Sequence, residues 1–323
     1  MRRSISFAFA AIAALLNAVS TGHAQSWPSK PIRVIVPFSA GSATDIMARA
    51  VFDQISIQLG QPVVIENRVG AGGTLGVAAV AKSDADGYTI LVHSSTHTVA
   101  PAIYATLPYD AKRDLTAVIP LANLPNVLVA APGKGYKTAR DLVAAAKANP
   151  GSMNYASAGV GSAAHLNAER FRMSADFPAV HVPFKGGPEA LREIVAGRVD
   201  FYFCPIPPAL PLIKEGQVVA LAVSGSTRAS AFPELPTTAE AGYPNSEFNF
   251  WVGVFLPSGT PRDIVAKLHA ETQKALEVPV IRERMARLGA EPMPMTPVQF
   301  DAHVAKDIDA HAELAKAAGI KIN

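Results

Sequence analysis

The distribution of apolar residues along the chain predicts alternating strands and helices. The β-branched run at residues 32–36 ends at a proline, and a loop of small residues leads from it into an amphipathic segment that starts at Thr44. The apolar positions of that segment recur near a period of 3.6 residues, as in a helix with one buried face: they are Ile46, Ala50, Val51, Ile55 and Leu59. The order of strand, small-residue loop and helix returns along the chain and predicts parallel sheets covered by helices, an α/β fold.

Later apolar runs and prolines predict how this pattern divides into lobes. Strands are predicted near residues 62–66, 88–92, 153–157, 179–183, 199–203, 218–223 and 250–256, and late helices at 260–277 and 296–317. Residues 115–131 are mostly extended and interrupted by prolines, which suits a segment that crosses between two lobes. We expect residues 25–124 and 224–323 to form lobe 1, residues 125–223 to form lobe 2, and the crossings to act as a hinge.

The first residues have the pattern of a secretory signal peptide. Arg2 and Arg3 precede an apolar stretch from Phe7 to Leu16, which is long enough for a signal-peptide core and too short to span a bilayer. Small residues before Ala24 predict cleavage after it, so residues 1–24 would be removed and the rest exported to the periplasm. The alternative is an anchor that stays uncleaved.

Composition excludes some classes of function. The formal net charge of the 323-residue chain is +3, and only 17% of its residues are charged, so nothing points to nucleic acid as a partner. The single cysteine, Cys204, cannot form an internal disulfide, and it follows the apolar run 199–203, which predicts a buried thiol.

Two loops are candidates for chemistry. Residues 37–44 and 157–162 each connect a strand to a helix through small residues. The free N–H groups and the dipole at a helix start favour an anion. We expect the two loops to face each other across a cleft and to hold a carboxylate.

Other motifs favour catalysis or cofactors less well. Residues 159–164 fit the dinucleotide fingerprint G-x-G-x-x-A, but they lie mid-chain, and only Asp176 roughly matches the acidic residue expected further on. His93 and His97 are four residues apart, yet His93 is predicted to end a strand, so a metal site is disfavoured. A hydrolase with a cleft serine would need a Ser–His–acid arrangement, with His97 or His165 as the base. No cofactor is predicted.

An ordered series of short motifs covers almost the whole chain after residue 26. They are WPSKPIR (27–33), VPF (36–38), TD (44–45), ENR (66–68), GAGG (70–73), DGY (86–88), LPYD (107–110), NYAS (154–157), VPFKG (182–186), ALP (209–211) and LGAEP (288–292). In this series the chain resembles the Bug family, the extracytoplasmic solute receptors of tripartite tricarboxylate transporters.

The resemblance implies a two-lobed periplasmic binding protein of the Venus flytrap type, each lobe a mostly parallel sheet flanked by helices, without catalysis. It implies a small carboxylate or related polar ligand held largely through backbone groups, and the permease subunits of a tripartite tricarboxylate transporter as partners. A role as the ligand-dependent subunit of a sensor kinase stays open as an alternative, and we expect a monomer.

Carried over position by position, the family's ligand loops define a predicted site. Its residues are Phe38, Ser39, Ala40, Gly41, Ser42, Thr44, Ser94, Thr96, His97, Ser157, Ala158, Gly159, Gly161, Ser162, Phe184, Lys185, Gly186 and Cys204. The chain departs from the family at residues 39–42, where Pro-Pro-Gly-Gly is common, and at Cys204, where an aspartate is common. Without that carboxylate an amino-acid ligand is disfavoured.

Overall fold

The computed structural model describes residues 27–322, and the predicted signal peptide lies outside them. The described chain forms two five-stranded sheets, each flanked by helices, and this two-lobed α/β architecture confirms the predicted fold class.

The first sheet has the strand order β2-β1-β3-β10-β4. Its strands are β1 (Ile32–Val36), β2 (Val63–Asn67), β3 (Thr89–Ser94), β4 (Leu115–Asn123) and β10 (Trp251–Pro257). The flanking helices are α1 (Ala43–Leu59), α2 (Thr74–Ala81), α3 (Ala100–Ile103), α8 (Arg262–Glu277), α9 (Pro279–Arg287) and α10 (Pro297–Ala317). The first three strands are parallel, whereas β10 runs antiparallel to β3 and β4.

The second sheet has the strand order β7-β6-β8-β5-β9. Its strands are β5 (Asn126–Ala130), β6 (Asn154–Ser157), β7 (Val180–Pro183), β8 (Phe201–Pro205) and β9 (Val219–Val223). Its helices are α4 (Ala139–Ala148), α5 (Ala163–Ala175), α6 (Gly187–Val195) and α7 (Ile206–Lys214). In each sheet the antiparallel strand is the one that follows a crossing from the other lobe, β10 in the first and β5 in the second.

The two crossings lie side by side. The first passes through Leu124, whose N–H donates to the Phe250 carbonyl on the second, at 2.6 Å. Phe248 and Phe250 pack in the core of the first lobe, but Ala229 and Phe232 pack in that of the second. The chain therefore returns near residue 248, and the predicted boundary at residue 224 is wrong, because the proline-rich segment after β9 covers its own sheet first.

Most predicted elements match the observed ones within a few residues. Residues 115–131 are one exception: instead of a single extended crossing they form β4 and β5, one in each sheet, with only residues 124–125 between them. The helix α9 was not predicted, because its sequence PVIRERMAR has only two buried apolar side chains, Ile281 and Met285, so its periodic signal is weak. Within the described residues no helix combines the length and apolarity needed to cross a membrane.

A candidate ligand site between two helix starts

The two predicted loops end in the same helix-cap geometry in the two lobes. Ser42 caps α1 with φ −67° and ψ 159°, and Ser162 caps α5 with φ −66° and ψ 156°. Each serine Oγ accepts the N–H of the residue three positions later, Asp45 or His165, at 3.3 Å. The glycine before each serine has a left-handed backbone conformation, with φ 78° at Gly41 and 74° at Gly161.

These caps leave donors at the first turn of each helix. The N–H groups of Ala43 and Thr44 on α1, and of Ala164 on α5, make no hydrogen bond within residues 27–322. The Ala163 N–H donates to Thr96 Oγ1 of the other lobe at 3.0 Å. Both helix starts therefore present polarised N–H groups.

Both helix starts line one cavity of about 40 Å³ between the lobes. Six hydroxyl-bearing residues line it: Ser42, Thr44, Ser94, Thr96, Ser162 and Tyr202. The rest of its wall is small or apolar: Phe38, Ala43, Ala158, Ala163, Ala164, Gly187, Pro205, Pro208 and Phe250. No ionisable acid or base other than the Tyr202 phenol belongs to this lining, so the polar groups that face the cavity are neutral.

Close contacts between the lobes surround the cavity. The Thr96–Ala163 hydrogen bond forms part of its wall. At the rim a Cβ added to Gly186 would lie only 2.5 Å from Ser39 Oγ, and one added to Gly161 would overlap Ile103 Cδ1 of the first lobe. The structure is thus a closed form, in which two glycines allow the lobes to approach.

The side chain at the third helical position distinguishes the two loops. Asp45 Oδ2 accepts the Gly41 N–H at 2.9 Å, and the same carboxylate binds Arg49 and Asn67. Burial raises the pKa of Asp45, but the bonds from Arg49, Gly41 and Asn67 outweigh burial, so the pKa lies below its usual value. In the second lobe His165 Nδ1 accepts the Gly161 N–H at 3.1 Å.

His165 is held as a neutral ring. Burial, and to a smaller extent repulsion from His181, lower the pKa of His165 to about 3. The two imidazoles stack with centroids 3.7 Å apart. Each helix start is therefore braced by an acceptor, a carboxylate balanced by arginine in one lobe and an uncharged imidazole in the other.

The structure brings seven of the predicted site residues into the cavity wall: Phe38, Ser42, Thr44, Ser94, Thr96, Ala158 and Ser162. Others lie at its rim or support a loop without lining it: Ser39, Ala40, Gly41, Ser157, Gly159, Gly161, Phe184, Lys185 and Gly186. Lys185 is exposed, and its backbone N–H donates to Glu189. Phe184 packs against the core of the second lobe.

Two predicted site residues lie in the cores of their lobes. His97 packs between Tyr109 and Phe255, burial lowers its pKa to about 4, and neither ring nitrogen has a hydrogen-bond partner among residues 27–322. Cys204 is fully buried in the second lobe, where burial raises the pKa of its thiol. Neither side chain lines the cavity in this closed form.

Several lining residues were not predicted. Tyr202 and Pro205 come from β8, and Pro208 comes from the start of α7. Phe250 arrives on the returning crossing, more than 200 residues after Phe38. Tyr202 is two residues before Cys204 on the same strand, so the period-two rule of strands would have offered it as a neighbour of that position.

A larger groove of about 860 Å³ lies elsewhere on the first lobe, lined by β4, α8, α9 and residues 290–299. None of the predicted site residues lines it. We place the candidate site in the smaller cavity because both loops and their free donors meet there.

The arrangement around the loops does not resemble a catalytic triad. Neither proposed base meets a serine: His97 is unpartnered in the core of the part described, and His165 Nδ1 is occupied by a backbone N–H. His181 Nε2 lies 2.6 Å from Ser157 Oγ, but Ser157 is fully buried and also bonded to Gly159. In residues 27–322 no three His, Cys, Asp or Glu side chains cluster as metal ligands.

Comparison with known proteins shows the family of the chain. Residues 47–320 match the model of the tripartite tricarboxylate transporter family receptor. The solved structure of R. palustris Rpa4515 with adipate is 34% identical, with a TM-score of 0.88 over 91% of this chain and 99% of that one. MatC from Rhodopseudomonas palustris with bound malate is 34% identical, with a TM-score of 0.85 over 89% and 99%.

The periplasmic binding protein BugD is similar as well, at 32% identity and a TM-score of 0.87 over 91% of this chain and 99% of BugD. The chain belongs to the tripartite tricarboxylate transporter receptor family, and it is a periplasmic solute-binding receptor of the TctC and Bug type.

Proposed function

We propose that the protein captures a small carboxylate in the cavity between its lobes and delivers it to the permease subunits of a tripartite transporter. The observation that carries this proposal is the meeting of two capped helix starts, at Ser42 and Ser162, around one cavity. Anions bind at helix N-termini because free N–H groups and the dipole both favour negative charge.

The lining supports a carboxylate held without a buried counter-charge. The free N–H groups of Ala43, Thr44 and Ala164 and six hydroxyls can donate to carboxylate oxygens, and hydrogen bonds to a charged acceptor are stronger than neutral ones. Phe38 and Phe250 provide apolar surface for the carbon chain of the ligand. Two similar proteins were solved with dicarboxylates, adipate and malate.

Delivery requires that the ligand change the shape of the protein. The Thr96–Ala163 hydrogen bond and the contacts at Gly161 and Gly186 join the two lobes in this closed form. A ligand that bridges both helix starts favours this form over an open one, and the permease can recognise the difference. We infer that the mature chain acts in the periplasm after cleavage near Ala24.

We also infer that the ligand is bound and released unchanged. The histidines proposed as catalytic bases do not face the cavity, and the nearest serine–histidine pair, Ser157 and His181, lies behind the loop.

A binding screen tests the proposal. Purified protein, unfolded and refolded to remove carried-over molecules, is scanned for thermal stabilisation by mono-, di- and tricarboxylates, and hits are titrated by calorimetry. A ligand at 100 times its Kd adds about 2.7 kcal/mol to the free energy of unfolding. Absence of any stabilising carboxylate would contradict the proposal.

The Thr44→Asp variant localises the binding. Aspartate is favourable in the first turn of a helix, so α1 should still form, but its charge would repel a carboxylate in the cavity. We expect at least about a 100-fold loss of affinity, since a desolvated like-charge contact costs several kcal/mol.

The matched control is Val298→Asp. Val298 stands at the same second position of the capped helix α10 and is 79% exposed, far from the cavity lining. This variant should bind as the wild type does, and equal loss in both variants would show that the cavity is not the site.

A further inference from the structure

Two histidines behind the second loop make contacts that the proposed binding does not itself explain. His165 comes from α5 and His181 from β7, and their rings lie nearly parallel, with an interplanar angle of 13°. Tyr155 of β6 lies beside this pair, with its ring centroid 4.9 Å from that of His181 and 6.1 Å from that of His165. The two stacked imidazoles and the neighbouring phenol lie beneath residues 157–162.

Each histidine reaches a different end of the loop. His165 Nδ1 accepts the Gly161 N–H, one residue before the Ser162 cap. His181 Nε2 bonds Ser157 Oγ, and that oxygen accepts the Gly159 N–H at 3.1 Å. Gly159 and Gly161 have left-handed backbone conformations, and glycines give a loop conformational freedom. The hydrogen bonds to the two histidines restrict that freedom.

From this geometry we propose that His165 and His181 are positioning residues, which hold the second loop in the form that presents the Ala164 N–H and Ser162 to a carboxylate. The proposal takes its ligand, a carboxylate, from the proposed function and in that respect rests on it. Its geometry comes from contacts within the second lobe. Neither ring lines the cavity, so neither contacts the ligand in the closed form.

The bond at His165 requires an uncharged ring. Because Nδ1 accepts a hydrogen bond from the Gly161 N–H, the proton of the neutral imidazole resides on Nε2. The charged groups nearest the stack are Glu169, which accepts the Tyr155 hydroxyl at 2.5 Å, and Arg172, which is ion-paired to Glu169 at 2.7 Å. These two charges offset each other, and neither hydrogen-bonds an imidazole.

Paired substitutions separate positioning from packing. His165→Asn keeps an acceptor oxygen at the position of Nδ1, whereas His165→Leu removes it. His181→Gln keeps a donor at the position of Nε2, whereas His181→Phe keeps only the stacking. His269→Leu is the control, since it removes a histidine hydrogen bond to the Met295 carbonyl in the distant groove.

The first readout needs no ligand. In the wild type at pH 7.5 we expect the Nε2–H tautomer of His165 by ¹⁵N NMR, and slow hydrogen exchange at the Gly161 amide. His165→Asn should keep that protection and His165→Leu should lose it by about tenfold or more, as for one lost hydrogen bond. Equal protection in the two variants would overturn the proposal.

The second readout is the calorimetric Kd for malate and adipate. His165→Leu and His181→Phe should each weaken binding by about tenfold, while His165→Asn, His181→Gln and the control His269→Leu stay close to the wild type. Equal weakening by the two variants of each histidine would mean that the histidines act only through packing, which would overturn the proposal. A wild type that binds no carboxylate would refute the proposed function, and the exchange measurement would still decide the positioning role.

Discussion

The loops at Gly41 and Gly161 share backbone and cap geometry but differ in what surrounds them. Gly41 is exposed, and a Cβ there would meet only Pro188 Cγ at 4.0 Å, whereas Gly161 is buried under Ile103 of the other lobe. Both loops therefore present donors, but only the second has its left-handed glycine tightly packed against the other lobe.

The side chain that accepts the glycine N–H behind each loop also differs between the two lobes. Asp45 carries a charge that needs Arg49 and Asn67, and both partners belong to the first lobe near the surface. His165 needs no counter-charge, because it is neutral and buried against His181. An uncharged acceptor leaves the positive end of α5 uncompensated, whereas a carboxylate lies at the start of α1, so we predict that the second lobe contributes the larger share of the anion affinity.

The largest expected difference between the loops comes from adding one methyl group to each. Gly41→Ala costs only the left-handed strain, about 1–2 kcal/mol. Gly161→Ala adds a clash with Ile103 that must be relieved in the closed form, at about 1–3 kcal/mol more. We therefore expect Gly161→Ala to weaken carboxylate binding about 10–100-fold more than Gly41→Ala, as measured by calorimetry.

The additional substitution Ile103→Val tests the cause. It removes the Cδ1 atom that the new methyl would overlap, so it should recover most of the affinity in the Gly161→Ala background and change it little in the Gly41→Ala background. Absence of recovery would mean that Gly161 matters through its backbone conformation alone.

The second difference is in how acid affects the two loops. The folded-state pKa of His165 is about 3, below the ordinary 6.5, so the unfolded chain takes up a proton that the folded chain refuses as the pH falls between these values. Stability is therefore lost across that window, by up to about 1.4 kcal/mol per pH unit. The lowered pKa of Asp45 affects stability only below its ordinary 3.8.

Urea unfolding at pH 7, 6, 5 and 4.5 separates the two contributions. His165→Asn should flatten the decline in the free energy of unfolding, whereas Asp45→Asn should lower it at every pH without changing the slope. Since His93, His97, His181 and His311 are also buried with lowered pKa values, the wild type keeps some acid sensitivity in both variants. A slope unchanged by His165→Asn would contradict the assignment of a neutral ring.

The sequence predicted well what short stretches decide. The loops are recognisable because a strand, a glycine, a serine cap and an amphipathic helix follow one another within about 15 residues, and each has its own local signal. The two-lobed order of strands and helices follows from the same signals.

What depends on distant contacts could not be predicted from the residues alone. Cys204 and His97 lie close to the right loops in sequence, but packing turns both into the cores. His181 was missed since β7 is a short edge strand, and nothing local shows that its ring stacks on a helix 16 residues earlier. Phe250 reaches the cavity only because the second crossing lies beside the first.

The smallest expected effect tests the feature that the loops share. Ser42 and Ser162 have the same dihedral angles and the same 3.3 Å bond to the third helical N–H, so Ser42→Ala and Ser162→Ala should lower the free energy of unfolding equally, by about 1 kcal/mol each. Thr138→Ala removes the cap of α4, which lies outside the cavity lining, and provides the reference for a cap without a ligand role.

The same three variants also test the affinity of each lobe for the anion. If α5 is the stronger anion binder, Ser162→Ala should weaken carboxylate binding more than Ser42→Ala despite equal stability losses, and Thr138→Ala should not weaken it. Equal losses of affinity at the two serines would instead mean that the ligand's charge is shared evenly between the lobes.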